Sequence, residues 1–176
     1  MKLNTFKLDD ETLEKMQDLA ARTPLYRATG QRIRVGEHGK DNLSVYNYDR
    51  WYGWKAKDRN LFKECFPESV RDLMLVGHFL EIPDCGHLDR MVAWVGVKQS
   101  GYMLSFNIGE EPARIIISDR EVEVPVGGSV GFSLIETHEI PKREGGRDLW
   151  ACTMLLAPPP TWKAEIDFVK SLVDKP

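Results

Sequence analysis

Leu13, Met16, Leu19 and Ala20 recur at helical spacing behind Asp9 and Asp10, either of which can accept from the first free backbone N–H groups of a helix. The proline of "RTPL" forbids continuation, so the spacing predicts a helix from about Asp10 to Arg22. The following stretch, "YRATGQRIRVGEHGKDNLSVYNYDRWYG", mixes short β-prone runs with Gly and Asp-Asn breaks and predicts irregular strands and loops, with a short helix near Arg59 to Phe66. From Leu73 the character changes. The runs "LMLVGHFLEI", "MVAWVGV", "YMLSFNIG", "ARIIIS", "EVEVPV", "SVGFSLIE", "THEIPK" and "DLWACTMLLA" predict about eight strands in a sandwich or barrel. Val122, Val124 and Val126 are spaced two apart, as are Val130, Phe132 and Leu134, so at least two strands have one buried face. "APPPTW" breaks the sheet. Trp162, Ile166, Val169 and Val173 then fall on one side of a helix, expected to pack outside the sheet.

At 176 residues, with 42% hydrophobic and 29% charged, the chain suits one domain around one sizeable core. Its parts are a helix and irregular segment (1–72), a mainly β core (73–157) and a C-terminal helix (158–176). No apolar run approaches the ~20 residues that span a bilayer, and "MKLNTFKLDD" turns polar before a signal-peptide core forms; the expectation is a cytoplasmic protein that does not enter a membrane. Cys65, Cys85 and Cys152 are odd in number and lack metal-knuckle spacing, so free thiols are expected. The net charge of −3 conceals an asymmetry, because Arg22 to Lys63 carries ten Lys and Arg against four acids. That basic segment also holds Tyr26, Tyr46, Tyr48, Trp51, Tyr52 and Trp54, a mixture able to line a site for an anionic or planar partner. Core aromatics beside a solvated charged face are the plainer explanation.

"GHLDR" carries the chemistry. In an extended strand His87 and Asp89 project to one face with Leu88 turned away. An imidazole and a carboxylate side by side are two of the three ligands of a 2-His-1-carboxylate site, which leaves open positions on iron. His138, 49 residues after Asp89, is the histidine that a folded-back barrel can bring to the pair, whereas His38 sits in a polar loop and His78 within the preceding strand. Arg147 follows His138 by nine residues. A turn centred near Lys142 and Arg143 sets the two directly opposite; one on Gly145 and Gly146 does not. The planar guanidinium suits bidentate capture of a carboxylate, so a dicarboxylate could bridge metal and arginine.

The order His87-x-Asp89, several strands, His138 and Arg147 resembles the Fe(II)- and 2-oxoglutarate-dependent oxygenases, prolyl- and aspartyl-hydroxylase-like members in particular, over about Leu73 to Ala157. "VEVPVGGSVGFSLIETHEI" is similar to the family stretch in which a Pro-x-Gly-type turn precedes the strand leading to the distal histidine. The resemblance implies a double-stranded β-helix, a jelly-roll of cupin type. It implies iron ligation by His87, Asp89 and His138, with the distal carboxylate of 2-oxoglutarate on Arg147, and Tyr102 touching the same carboxylate. The implied reaction consumes dioxygen, decarboxylates 2-oxoglutarate to succinate and hydroxylates a substrate C–H bond, expected to belong to an amino acid, free or in a peptide. One departure is plain: Leu149 stands where many members place a Ser or Thr that also bonds the cosubstrate. Two rivals follow from other features. The basic aromatic segment suits a nucleobase or nucleotide oxygenase that binds nucleic acid, and the strand pattern alone suits a cupin-like barrel that binds metal without turnover.

Overall fold

In the computed structural model the described residues are 6–23, 25–27, 46–48, 54–82, 87–89, 101–134, 136, 138–141 and 148–173, with backbone alone for 25–27, 46–48, 82, 87–89 and 168–173. Helix α1 (Asp10–Ala21) begins where the capping signal predicts: the Asp9 carboxylate accepts from Thr12 N–H at 2.7 Å, and that bond holds its carboxyl below the usual range. Met16, Leu19 and Ala20 are its buried stripe. Helix α2 (Ala56–Glu64) starts ahead of the predicted span, and a single-turn helix α3 (Glu68–Arg71) follows. Four residues are too few to show a period, so pattern could not announce α3. Arg71 ties this turn back by donating to the carbonyls of Phe66 and Glu64 at 2.9 and 2.8 Å.

The strands are β1 (Leu25–Arg27), β2 (Tyr46–Tyr48), β3 (Met74–Ile82), β4 (His87–Asp89), β5 (Tyr102–Asn107), β6 (Ala113–Ile117), β7 (Arg120–Val124), β8 (Ser129–Ser133), β9 (His138–Ile140) and β10 (Asp148–Leu155), and helix α4 (Pro160–Val173) closes the order. They form two antiparallel sheets, ordered β1-β2-β3-β10-β5-β8 and β4-β9-β6-β7. From β3 onward the chain alternates between the sheets, except at the β6–β7 step. This winding makes the core a double-stranded β-helix, the jelly-roll architecture of cupins, with helices flanking it. The run "MVAWVGV" lies outside the described residues, and β4 is among the eight core strands.

Strand alternation sorts the core into two layers. Between the sheets lie Leu80, Ala113, Ile115, Ile117, Val124, Val130, Phe132, Ile140, Trp150 and Cys152. On the outer side of the six-stranded sheet, Phe79, Leu104, Phe106, Ala151 and Leu155 meet Met16, Leu19, Phe62 and Trp162 of the helices. Two glycines make that second layer close. A Cβ on Gly77 would run into the Phe62 ring of α2, and one on Gly131 into the Trp162 ring of α4. Strand β8 is accordingly buried on both faces, more than its alternation required, because α4 covers the side on which Gly131 leaves room.

The outer edge of β8 is covered as well. Phe6 N–H donates to Ser129 Oγ at 2.7 Å, Ser129 N–H to Phe6 O at 3.0 Å, and Leu8 N–H to Gly127 O at 2.8 Å, so residues 6–8 blunt an edge that would otherwise invite pairing with another chain. Among the described residues no helix is long and apolar enough to cross a membrane.

Candidate metal centre

Strand β4 pairs with β9 so that His87 stands opposite Ile140, Leu88 opposite Glu139 and Asp89 opposite His138. On its other side β9 pairs with β6, and His138 stands opposite Ile117. Directly opposed residues of an antiparallel pair occupy the same sheet face. Ile140 and Ile117 belong to the layer between the sheets, so positions 87, 89 and 138 all lie on the face turned to the barrel interior. His138 is 8% exposed, and its imidazole sits against the Phe132 ring at 4.8 Å between centroids. The sheet therefore sets position 138 of β9 across from position 89 of β4. Among the described residues no three His, Cys, Asp or Glu side chains gather as a metal group; the side chains of His87 and Asp89 lie outside that set.

Strands β9 and β10 do not pair with each other as a hairpin. Strand β9 belongs to the four-stranded sheet and β10 to the six-stranded one, so the chain changes sheets between Pro141 and Asp148. A turn cannot set residues of these strands opposite one another, because closure of the barrel has given each strand other partners. Arg147 itself lies outside the described residues, as do His38 and Cys85.

Tyr102 is placed away from the interior. It pairs with Ser133 and Leu155 at the start of β5, is 8% exposed, and packs in the helix-side layer with its ring 6.2 Å from that of Trp162. Met103 and Ser105 take the interior positions of β5 instead, opposite Met154 and Cys152. Leu149 likewise packs against the helix-side layer, with Trp150 turned inward. The departure at Leu149 is thus a residue on the far side of the sheet from the site.

His78, within β3, also falls on the interior face. Strand β3 runs Val76, His78, Leu80 on one face, and Leu80 belongs to the interior layer while Phe79 belongs to the outer one. His78 stands opposite Cys152, is half-buried, and therefore lines the barrel. The alternation of this run was visible in the sequence; which face it buried was not. Two other polar side chains on this wall are committed within it. Ser105 donates to Cys152 Sγ at 3.3 Å, and Asn107 donates to the carbonyls of Glu111 and Val124 at 2.9 and 3.0 Å while accepting from Gly109 N–H at 3.0 Å. Burial pushes the Cys152 thiol up to about 12, so it stays protonated at neutral pH. Cys65 is also a free, buried thiol, pushed up to about 11 by loss of water.

No protein-family model matches the sequence, and no curated protein matches it. Solved structures do resemble the fold. A prolyl-4-hydroxylase from Pseudomonas putida superposes with a TM-score of 0.55 at 12% identity, covering 89% of this chain and 93% of that one. A 2OG-Fe(II) oxygenase family oxidoreductase from Burkholderia pseudomallei gives 0.49 at 11% identity, over 86% and 80% of the chains. A predicted oxalate decarboxylase from Thermotoga maritima gives 0.46 at 10% identity, over 78% and 96%. At such identities the likeness shows the double-stranded β-helix and nothing finer.

Proposed function

We propose that the chain is an Fe(II)- and 2-oxoglutarate-dependent dioxygenase that hydroxylates a C–H bond of an amino acid or of a residue in a peptide. The observation that carries this reading is the register of β4 on β9, which sets Asp89 opposite His138 with position 87 on the same interior face. Two imidazoles and one carboxylate are a donor set suited to Fe(II), and three protein ligands leave positions for cosubstrate and dioxygen. The iron, when bound, supplies the redox chemistry that couples cosubstrate decarboxylation to oxygen insertion. The scaffold is one that a prolyl-4-hydroxylase also uses, in keeping with an amino-acid substrate.

The protein's own residues do the rest. His87, Asp89 and His138 hold the metal. Arg147 binds the far carboxylate of 2-oxoglutarate, its fixed positive charge matching the anion. Phe132 backs the His138 ring and limits its rotation, and the apolar interior layer keeps bulk water from the reacting groups. Anaerobic addition of Fe(II) and then 2-oxoglutarate tests the proposal. A visible charge-transfer band, followed on admission of air by succinate, is the expected result. Metal binding with neither band nor succinate would leave a cupin-like metal-binding barrel. Salt-sensitive binding of single-stranded nucleic acid at low ionic strength would instead favour a nucleobase substrate.

A further inference from the structure

Where α4 meets the start of β5 and the end of β10, on the helix side of the six-stranded sheet, the surface opens into a cleft of about 350 Å³. That volume falls in the lower part of the range of small-molecule sites. Leu156, Pro158 and Ile166 give the cleft an apolar lining, and Tyr102, Lys163 and Asp167 supply its polar groups. Leu156 is 54% exposed there, an apolar side chain that a ligand would take out of water.

Those polar groups are uncommitted. Among the described residues neither Lys163 nor Asp167 makes an ion pair or a side-chain hydrogen bond, although they carry opposite charges four positions apart on one helix. Lysine ahead of aspartate is the poorer order for such a pair, because it sets each charge against the helix dipole. The Tyr102 ring is buried against Trp162, centroids 6.2 Å apart, and its hydroxyl likewise has no partner among the described residues. The first turn of α4 carries no acid, so the positive end of this 14-residue helix adds to the Lys163 ammonium in favouring an anion. Asp167, one turn further on, favours a cation. A ligand that answers both charges at once holds an anion and a cation close together and carries an apolar remainder.

We infer that this cleft binds a free α-amino acid as its zwitterion, with the carboxylate on Lys163, the ammonium on Asp167 and an apolar side chain over Leu156 and Pro158. Tyr102 and Ile166 belong to the helix-side layer, so the site lies across the sheet from the barrel interior and shares no residue with the proposed metal centre. It therefore stands apart from the dioxygenase reading.

The test is an NMR titration of the whole isotope-labelled chain with L-leucine, following the amide signals of Lys163, Ile166 and Asp167. Two analogues accompany it: 4-methylpentanoate, which lacks the ammonium, and 3-methylbutylamine, which lacks the carboxylate. Leucine is expected to shift the cleft signals saturably at millimolar concentration. Each analogue should bind about fivefold more weakly or worse, and Lys163→Gln and Asp167→Asn should each weaken leucine about fivefold, a modest factor because water screens exposed charges. Both substitutions are at exposed positions of α4 and leave the core untouched. Cleft signals that stay still with millimolar leucine overturn the inference, as does an analogue that binds as well as leucine. Leucine binding unchanged in both variants places the amino acid elsewhere in the molecule and overturns it too, leaving the dioxygenase reading intact.

Discussion

Asp89 and His138 stand directly opposite each other on neighbouring antiparallel strands, 49 residues apart in the chain. If both are iron ligands, removing either lowers metal affinity far more than removing a supporting group, for which losses of about 10–100-fold are usual. Asp89→Ala and His138→Ala are each expected to weaken Fe(II) or Co(II) binding about 100-fold or more and to abolish iron-dependent succinate release, as read by metal titration and succinate assay. Unchanged activity in Asp89→Ala would refute the ligand assignment.

Arg147 separates from those two in its expected phenotype. Arg147→Ala should leave metal affinity near wild type and raise the half-saturating 2-oxoglutarate concentration roughly 10-fold or more, the loss of a charge-assisted hydrogen bond. Steady-state assays across 2-oxoglutarate concentrations, beside a Co(II) titration, distinguish this from a ligand defect.

Gly131 tests the fold's outer layer. A Cβ there meets the fully buried Trp162 ring, so Gly131→Ala should cost about 1–3 kcal/mol through overpacking and lower Tm by roughly 3–10 °C. Trp162→Ala should cost about 3–5 kcal/mol. Since the alanine methyl collides with a ring that the second change removes, the double variant should be less destabilised than the two losses added together. Thermal melts of the three variants supply the comparison.

Asn107, fully buried, holds the β5–β6 connection to the end of β7 through three side-chain hydrogen bonds. Asn107→Asp removes both donors and faces a carboxylate oxygen to the carbonyls of Glu111 and Val124. A loss of about 2–4 kcal/mol in urea unfolding is expected, larger than for an exposed amide by the desolvation of the two abandoned acceptors.

The thiols set an alkaline limit. Both Cys65 and Cys152 have folded values raised above the ordinary 9.0, to about 11 and about 12, because burial penalises the thiolate. The folded state therefore holds these protons more tightly than the unfolded chain, and their contribution is fully present below pH 9 and lost as pH rises toward 11 and 12. Urea midpoints should fall over that window, with a shallower slope in Cys152→Ala. At pH 8 the two thiols should resist a disulfide reagent in native protein and react once unfolded; rapid native labelling of Cys152 would contradict its burial.

Much of the fold was legible in the chain because its signals are local. The Asp9 cap, the stripe of α1, Trp162 and Ile166 on α4, and the period-2 runs each declare themselves within a few residues. Helix α3 did not, being a single turn, and β4, three residues long, stood out only through its His-x-Asp.

What the sequence determined by itself was a β-rich core with flanking helices, and it supplied the residues proposed as donors, His87, Asp89 and His138, since side-chain chemistry and strand alternation are properties of residues and their near neighbours. Tertiary structure decided which face each strand buries and which strands pair. It moved β10 away from β9, turned Tyr102 to the helices and His78 to the interior, and put Asp89 beside His138. A period of two fixes only that alternate residues part company. The side that becomes the inside is chosen when two sheets close over one apolar layer, a contact between segments dozens of residues apart.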